Sequence, residues 1–208
     1  MSLRLNKYIT NLRRGAHRFE YTDINNKISN SFLDRNQRRI ICIIPSLTIV
    51  LFLKNGFTQE FVAYASTAIS ILIGLFSANI IFILDKYKSI DKETMSALSS
   101  REKLWDIQAY NYTKQFAYVT GYSIVLCVYV IILLSLCALF PDVFNSNLWK
   151  YKFCFNEFNY KTIGLALINS SIIIQRFLVL YWLFSIAYNT LYAISSMINF
   201  TIVKIDRQ

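Results

Sequence analysis

The sequence predicts an all-α integral membrane protein with four transmembrane helices and cytoplasmic helical extensions. Of its 208 residues, 55% are hydrophobic and only 16% are charged, and the mean hydropathy is +0.38. A soluble domain carries about 25% charged residues. With five Gly and two Pro, the long uncharged runs are typical of spanning helices and lack the alternation of a membrane β-barrel.

The four predicted spans divide the chain into six segments. These are a basic cytoplasmic arm at 1–39, a transmembrane hairpin of spans one and two at 40–84, a cytoplasmic helical stalk at 85–115, span three at 116–140, an external aromatic loop at 141–161, and the span-four region with a cytoplasmic C-terminus at 162–208.

The strongest span is the run at 61–84, which holds 24 residues without a charge. Four small residues recur in it at four-residue spacing and therefore share one helix face. This small-residue ribbon consists of Ser66, Ser70, Gly74 and Ala78. Small side chains let helices approach closely in lipid, so the ribbon packs this span within the chain or joins copies of it. Because four helices, one of them short, leave little core for a monomer, we expect a homo-oligomer, with a tetramer as the assumed copy number.

The first span is short and follows a basic arm. Residues 1–39 hold nine Lys and Arg against three acidic residues, which fits an interfacial helix on anionic lipid or a solvated tail that only sets topology. The 14 uncharged residues at 40–53 cover about 21 Å of a hydrocarbon layer about 30 Å thick. Arg39 and Lys54 must therefore snorkel, or this helix lies inside the bundle.

The stalk is predicted to continue into span three as one helix. Ser99 and Glu102 match an S-x-x-E capping box, which marks a helix start, and no breaker follows until Pro141. The first turns should project from the membrane as a rigid surface for a soluble partner. The docking candidates there are Leu104, Trp105 and Ile107.

The last segment allows two placements of its span. Arg176 is the only charge between 162 and 203. If the span begins at Phe177, Arg176 marks the outer boundary and snorkels to the headgroups; we favour this placement because it leaves the longer uncharged run in lipid. If the span begins near Ile163, Arg176 is buried at mid-membrane. Asn169 lies two helical turns earlier on nearly the same face, and the pair would then line a pore or contact an anion.

Basic residues are concentrated on one side of the predicted spans. Seventeen Lys and Arg lie in segments assigned to the cytoplasm and four in segments assigned to the outside. Because cytoplasmic loops carry the excess of basic residues, both termini are predicted to be cytoplasmic, which requires an even number of spans. We expect a bacterial inner membrane, and the net charge of +10 then reflects topology.

Residues that carry catalysis are scarce. The chain has a single histidine, His17, and no HExxH, GxSxG or glycine-rich phosphate loop, which removes most acid–base and metal arrangements. We predict no enzymatic activity, no metal, no cofactor and no direct nucleic-acid binding. We interpret the aromatic residues of spans three and four as packing or interfacial residues. They are Tyr118, Tyr122, Tyr129, Tyr181, Trp182, Tyr188 and Tyr192.

The basic arm, the tight hairpin around LKNGF and the helical stalk give the chain a family resemblance. The whole chain resembles the four-span membrane subunits of bacterial antiphage systems, notably that of Kiwa. The half through Lys114 is similar to SLATT-type effectors, whose span pairs are thought to perforate membranes. The first resemblance implies an oligomer that senses infection at the membrane and recruits a cytosolic, DNA-binding partner.

Three hypotheses about function follow from these features. The first is an oligomeric membrane scaffold or sensor, in an antiphage defence system, that docks a cytosolic partner on its stalks. The second is a pore or ion channel that permeabilises the membrane, with Arg176 and Asn169 facing the lumen. The third, with less support in the sequence, is a small transporter.

Overall fold

The computed structural model describes residues 5–19, 32–88, 100–147 and 160–205. They form six helices: α1 (Leu5–Phe19), α2 (Phe32–Phe52), α3 (Gln59–Lys88), α4 (Ser100–Leu139), α5 (Pro141–Phe144) and α6 (Tyr160–Ile205). These residues include no strand, which confirms the all-α prediction. Most of the external aromatic loop, from 148 to 159, lies outside the described residues.

Three of the described helices are long and apolar enough to cross a membrane. The candidate spans are Gln59–Ile81 in α3, Tyr110–Leu139 in α4 and Ile163–Asn199 in α6. The chain is therefore a multi-pass membrane protein. A fourth span in α2 is not confirmed, because the 21-residue α2 carries Asp34, Arg35, Arg38 and Arg39 ahead of its apolar run.

Helices α4 and α6 form the antiparallel centre of the bundle. Gln175, in the first half of α6, donates a hydrogen bond to the Leu133 carbonyl of α4 over 3.4 Å. Ser196, later in α6, donates to the Tyr112 carbonyl, earlier in α4, over 3.5 Å. α4 has 40 residues and α6 has 46, so they are about 60 and 69 Å long. Both helices are thus about twice as long as the hydrocarbon layer is thick.

The two ends of the bundle differ. At the loop end, the α2–α3 turn meets the residues that follow α4, and a Cβ on Gly56 would overlap the Phe144 carbonyl. At the opposite end, the stalk end, α4 begins and α6 finishes. The helix is uninterrupted from Ser100 to Leu139, as predicted for this segment, and its candidate span begins at Tyr110.

Helix α3 begins at a capped end and packs on α4 through one side. Thr58 Oγ accepts the Phe61 N–H over 3.2 Å, which supplies an acceptor for one of the unpaired donors in the first turn. Val62, Ile69 and Phe76 follow at seven-residue spacing and are buried in the core. α3 is nevertheless the least covered candidate span: 11% of its apolar stretch is buried, against 39% in α4 and 33% in α6.

The basic arm contains a helix that packs against the bundle. Apolar residues of α1 recur along one face, and Ala16 and Phe19 are buried. Gly15 lies so close to α4 that a Cβ on it would overlap the Tyr118 ring, and Leu12 is in contact range of Gly121. The glycine is therefore required for this close approach, and α1 runs antiparallel to α4.

Replacement of Gly15 tests this helix contact. Gly15→Ala should force α1 away from Tyr118 and destabilise the packed helix by about 1–3 kcal/mol, the usual cost of overpacking. Hydrogen exchange of residues 5–19, measured by mass spectrometry in detergent, should rise. Gly164→Ala is the matched control, because nothing lies within 4 Å of that glycine. Unchanged exchange in Gly15→Ala would contradict this position of α1.

Candidate functional site

The most deeply buried charge of the described residues is Arg176, which has no exposed surface. Its Nη2 donates hydrogen bonds to the carbonyls of Phe144 and Ser146, each over 2.9 Å, and its Nη1 donates to the Leu53 carbonyl over 3.4 Å. We call Arg176 and these three carbonyls the carbonyl clamp. A guanidinium group carries five N–H donors in a fixed planar arrangement, so it can donate to several acceptors at once.

The carbonyl clamp satisfies backbone groups that the helices leave unpaired. Leu53 immediately follows α2, and Phe144 ends α5. Carbonyls in the last turn of a helix have no partner within the helix and carry the negative end of its dipole. A cation that donates hydrogen bonds to these carbonyls satisfies them and also balances the negative end of the dipole. Arg176 therefore connects the ends of α2 and α5 to α6.

Two neighbours of Arg176 on α6 are also buried. Gln175 Nε2 donates to Cys137 Sγ over 2.8 Å. Asn169, the predicted partner of Arg176, is 6% exposed, and its Nδ2 has no hydrogen-bond partner among the described residues. Gln175 Oε1, Arg176 Nε and Ser146 Oγ are likewise unpaired within that part of the chain. Buried polar atoms of this kind are sites where ordered water is expected.

A second polar cluster ties three helices together toward the stalk end. The Tyr192 hydroxyl of α6 donates to the Phe19 carbonyl at the end of α1. Gln115 Nε2 of α4 donates to the Tyr192 hydroxyl over 2.5 Å. Because Phe19 is the last residue of α1, this cluster again satisfies a carbonyl at a helix C-terminus.

Between these two clusters, α4 and α6 carry further buried polar residues. Thr120, Ser185 and Asn189 are at most 2% exposed, and each has a side-chain donor atom without a partner among the described residues. Polar side chains between membrane helices act as hydrogen-bonding glue or bind water. We call this row of residues the polar seam.

The other sequence-predicted site residues lie apart from the carbonyl clamp. Ser70, Gly74 and Ala78 of the small-residue ribbon are exposed, and nothing lies within 4 Å of a Cβ on Gly74. Ile107 on the stalk is 56% exposed. Leu104 and Trp105 lie in the first turns of α4, and their side chains are outside the described residues.

Sequence reasoning singled out Arg176 but not its partners. The three partners are backbone carbonyls, which carry no side-chain signature, so only the approach of the loops reveals them. Gln115 and Tyr192 were likewise missed as a pair because 77 residues separate them. Within residues 5–19, 32–88, 100–147 and 160–205, no group of three His, Cys, Asp or Glu could hold a metal ion.

Comparisons with known proteins give no match. No protein-family model, no curated protein and no solved structure is similar to this chain. The resemblance to the Kiwa and SLATT membrane proteins therefore stays a prediction.

Removal of Arg176 tests the carbonyl clamp. Arg176→Leu leaves three carbonyls without their charged donor, and hydrogen bonds to charged groups contribute about 1.5–3 kcal/mol. We expect a loss of about 2–4 kcal/mol, which corresponds to a fall of about 5–12 °C in Tm for a chain of this size. Thermal unfolding of the detergent-solubilised protein measures it.

Two further variants calibrate that measurement. Arg176→Lys keeps the charge but not the fork, so its Tm should lie between those of the wild type and Arg176→Leu. Lys54→Ala removes an exposed cation beside Leu53 and should leave Tm unchanged. An Arg176→Leu protein that melts with the wild type would mean that the three carbonyls do not depend on Arg176.

Proposed function

We propose that this chain is a homo-oligomeric membrane scaffold or sensor that docks a soluble partner at its stalk end. The observation that carries the proposal is the uncovered face of α3. This candidate span packs on α4 through Val62, Ile69 and Phe76, whereas Ser70, Gly74 and Ala78 are exposed. Ser70 Oγ donates to the Ser66 carbonyl of its own helix over 2.8 Å, so its hydroxyl is already satisfied.

An uncovered ribbon of this kind fits a second copy of the chain. In lipid, helices associate by van der Waals packing where small residues let the backbones approach. Gly74 lies on this side of α3, and no other helix among the described residues comes within 4 Å of a Cβ placed on it. The expected homo-oligomer, with a tetramer as its assumed copy number, would use this face.

A four-span topology is part of the proposal. A single guanidinium donates both to Leu53, after α2, and to Phe144, after α4, so the ends of α2 and α4 lie at the same level. α2 has 21 residues and is about 32 Å long, of which the apolar run at 40–53 covers about 21 Å. Arg39 and Lys54 would therefore snorkel to the surfaces of a hydrocarbon layer about 30 Å thick. Its charged first turns would lie at the cytoplasmic surface of a bacterial inner membrane, with both termini on that side.

The stalk supports the docking role. α4 continues from Tyr110, where its candidate span begins, back to Ser100. Ile107 on this extension is an exposed apolar side chain. An apolar position on a helix that projects from the membrane fits a protein partner better than lipid. The resemblance to Kiwa subunits is the sole support for a role in phage defence.

A pore is less well supported by the same geometry. Arg176 donates to three carbonyls, so its guanidinium is engaged within the chain rather than directed into an open lumen. The unpaired atoms of the polar seam are explained by helix–helix packing with bound water.

Gly74→Leu tests the assembly. The leucine should separate the paired helices and raise the dissociation constant of the oligomer at least about tenfold, or about 1.4 kcal/mol. Native mass spectrometry of the purified protein in detergent measures the copy number. Gly164→Leu is the matched control, since this glycine on α6 also has nothing within 4 Å. If Gly74→Leu keeps the wild-type copy number, or if the wild type is a monomer, the α3 interface is wrong.

Substitutions in the stalk test the partner. Trp105→Ala and Ile107→Ala should each reduce recovery of a cytosolic protein in pull-downs from the native membrane by about tenfold, as expected for an interface anchor. Tyr64→Ala, which alters an exposed aromatic residue at the other end of the bundle, should leave recovery unchanged. A wild-type protein that recovers no cytosolic protein would contradict the docking role.

A further inference from the structure

The structure contains a cavity of about 530 Å³ between α1, α2, α4 and α6. Its volume lies in the range of about 300–1,000 Å³ that is usual for small-molecule sites. Its basic lining comes from two consecutive helices: Arg13 and His17 of α1, and Arg38 and Arg39 of α2. We call this cavity the basic pocket.

No Asp or Glu is among the described residues that line the basic pocket. Arg13 and Arg39 have neither a hydrogen-bond nor a salt-bridge partner in the described part of the chain. Guanidinium groups gathered around one cavity repel one another, and a bound anion relieves that repulsion.

Arg38 is the buried arginine of the basic pocket. It is 4% exposed, and its guanidinium carbon lies 5.4 Å from the centre of the Tyr122 ring. Its Nη1 lies 3.3 Å from His17 Nδ1. Because an arginine nitrogen can only donate, Nδ1 is the acceptor in this contact.

The remaining wall of the basic pocket is aromatic. Tyr122 and Tyr129 come from α4, and Tyr181 and Trp182 come from α6. The Tyr129 and Trp182 rings lie 5.5 Å apart. Aromatic rings beside guanidinium groups fix the cations by cation–π attraction, and tyrosine hydroxyls supply additional polar contacts. These aromatic residues thus do more than pack the two helices.

We propose that the basic pocket binds a phosphate group. A phosphate has enough oxygens to accept hydrogen bonds from guanidinium groups on two helices at once, and arginine forks match its geometry. A carboxylate offers only two oxygens to the same donors. The ligand bridges α1 and α2, so its binding adds a link between two helices of the basic arm region.

A phosphate group can come from two sources. The first is the headgroup of an anionic lipid, because a basic amphipathic helix beside transmembrane helices forms headgroup sites on the cytoplasmic side. The second is a soluble phosphate compound such as a nucleotide. Both sources present the same phosphate group to the basic pocket. The proposal does not depend on the oligomeric state.

Trp182 provides the measurement. The chain has three Trp, and Trp105→Phe with Trp149→Phe leaves Trp182 as the only one, inside the basic pocket. The full chain in neutral detergent is titrated with dioctanoyl phosphatidylglycerol, with dioctanoyl phosphatidylcholine as the zwitterionic control. A parallel titration uses inorganic phosphate and ATP at constant ionic strength. We expect a saturable change in Trp182 fluorescence in one of these two arms.

Arginine variants show whether the signal comes from the basic pocket. Arg13→Gln and Arg39→Gln should each raise the apparent Kd about tenfold, as expected for loss of a charge-assisted hydrogen bond. Arg13 and Arg39 are exposed, so these variants should fold. Arg14→Gln removes the same charge from the next position of α1, outside the pocket lining, and should change Kd by less than about twofold.

Each outcome decides the proposal. Saturation by phosphatidylglycerol alone supports a lipid headgroup, and saturation by phosphate or ATP supports a soluble ligand. The absence of saturation in both arms would overturn it. So would an equal loss of affinity in Arg14→Gln and Arg39→Gln, because it would indicate general attraction to a basic surface.

Discussion

The bundle depends on a buried cation that holds the ends of helices together. In a membrane protein, a backbone carbonyl without a partner is costly because lipid offers no hydrogen bonds. Leu53, Phe144 and Ser146 lie where helices have just ended, and Arg176 donates to all three. The charge of Arg176 is stabilised by these oxygens, and the oxygens are satisfied by the charge. Loss of either side leaves the other unpaired.

At the stalk end of the bundle, neutral side chains likewise satisfy a backbone carbonyl at the end of a helix. Tyr192 and Gln115 satisfy the Phe19 carbonyl at the end of α1. α4 and α6 are therefore connected to three other helix ends by polar contacts, while their apolar residues fill the core. Among the described residues, the side-chain hydrogen bonds of α3 stay within that helix and its N-terminal cap, and α3 leaves the largest share of its surface uncovered of the three candidate spans. That surface is the basis for the proposed assembly.

The basic arm has a larger role in the structure than its composition indicates. Its helix contacts α4 through Gly15, and its cations face those of α2 across a cavity. His17, the single histidine of the chain, is half-buried beside Arg38 and Tyr122. The arm and the bundle thus form a shared surface whose charge pattern fits an anion.

The sequence by itself determined the all-helical class, the membrane location and the continuous stalk helix. These follow from local properties: uncharged runs, few breakers and a capping pattern before Ser100. It also identified Arg176, because a lone charge in an apolar run is conspicuous. The tertiary structure decided what Arg176 binds, which side of α3 is uncovered and which arginines share a cavity. Those outcomes depend on backbone carbonyls and on contacts between residues far apart in sequence, such as those of His17 and Arg38 with Tyr122. Neither leaves a pattern that can be seen along the chain.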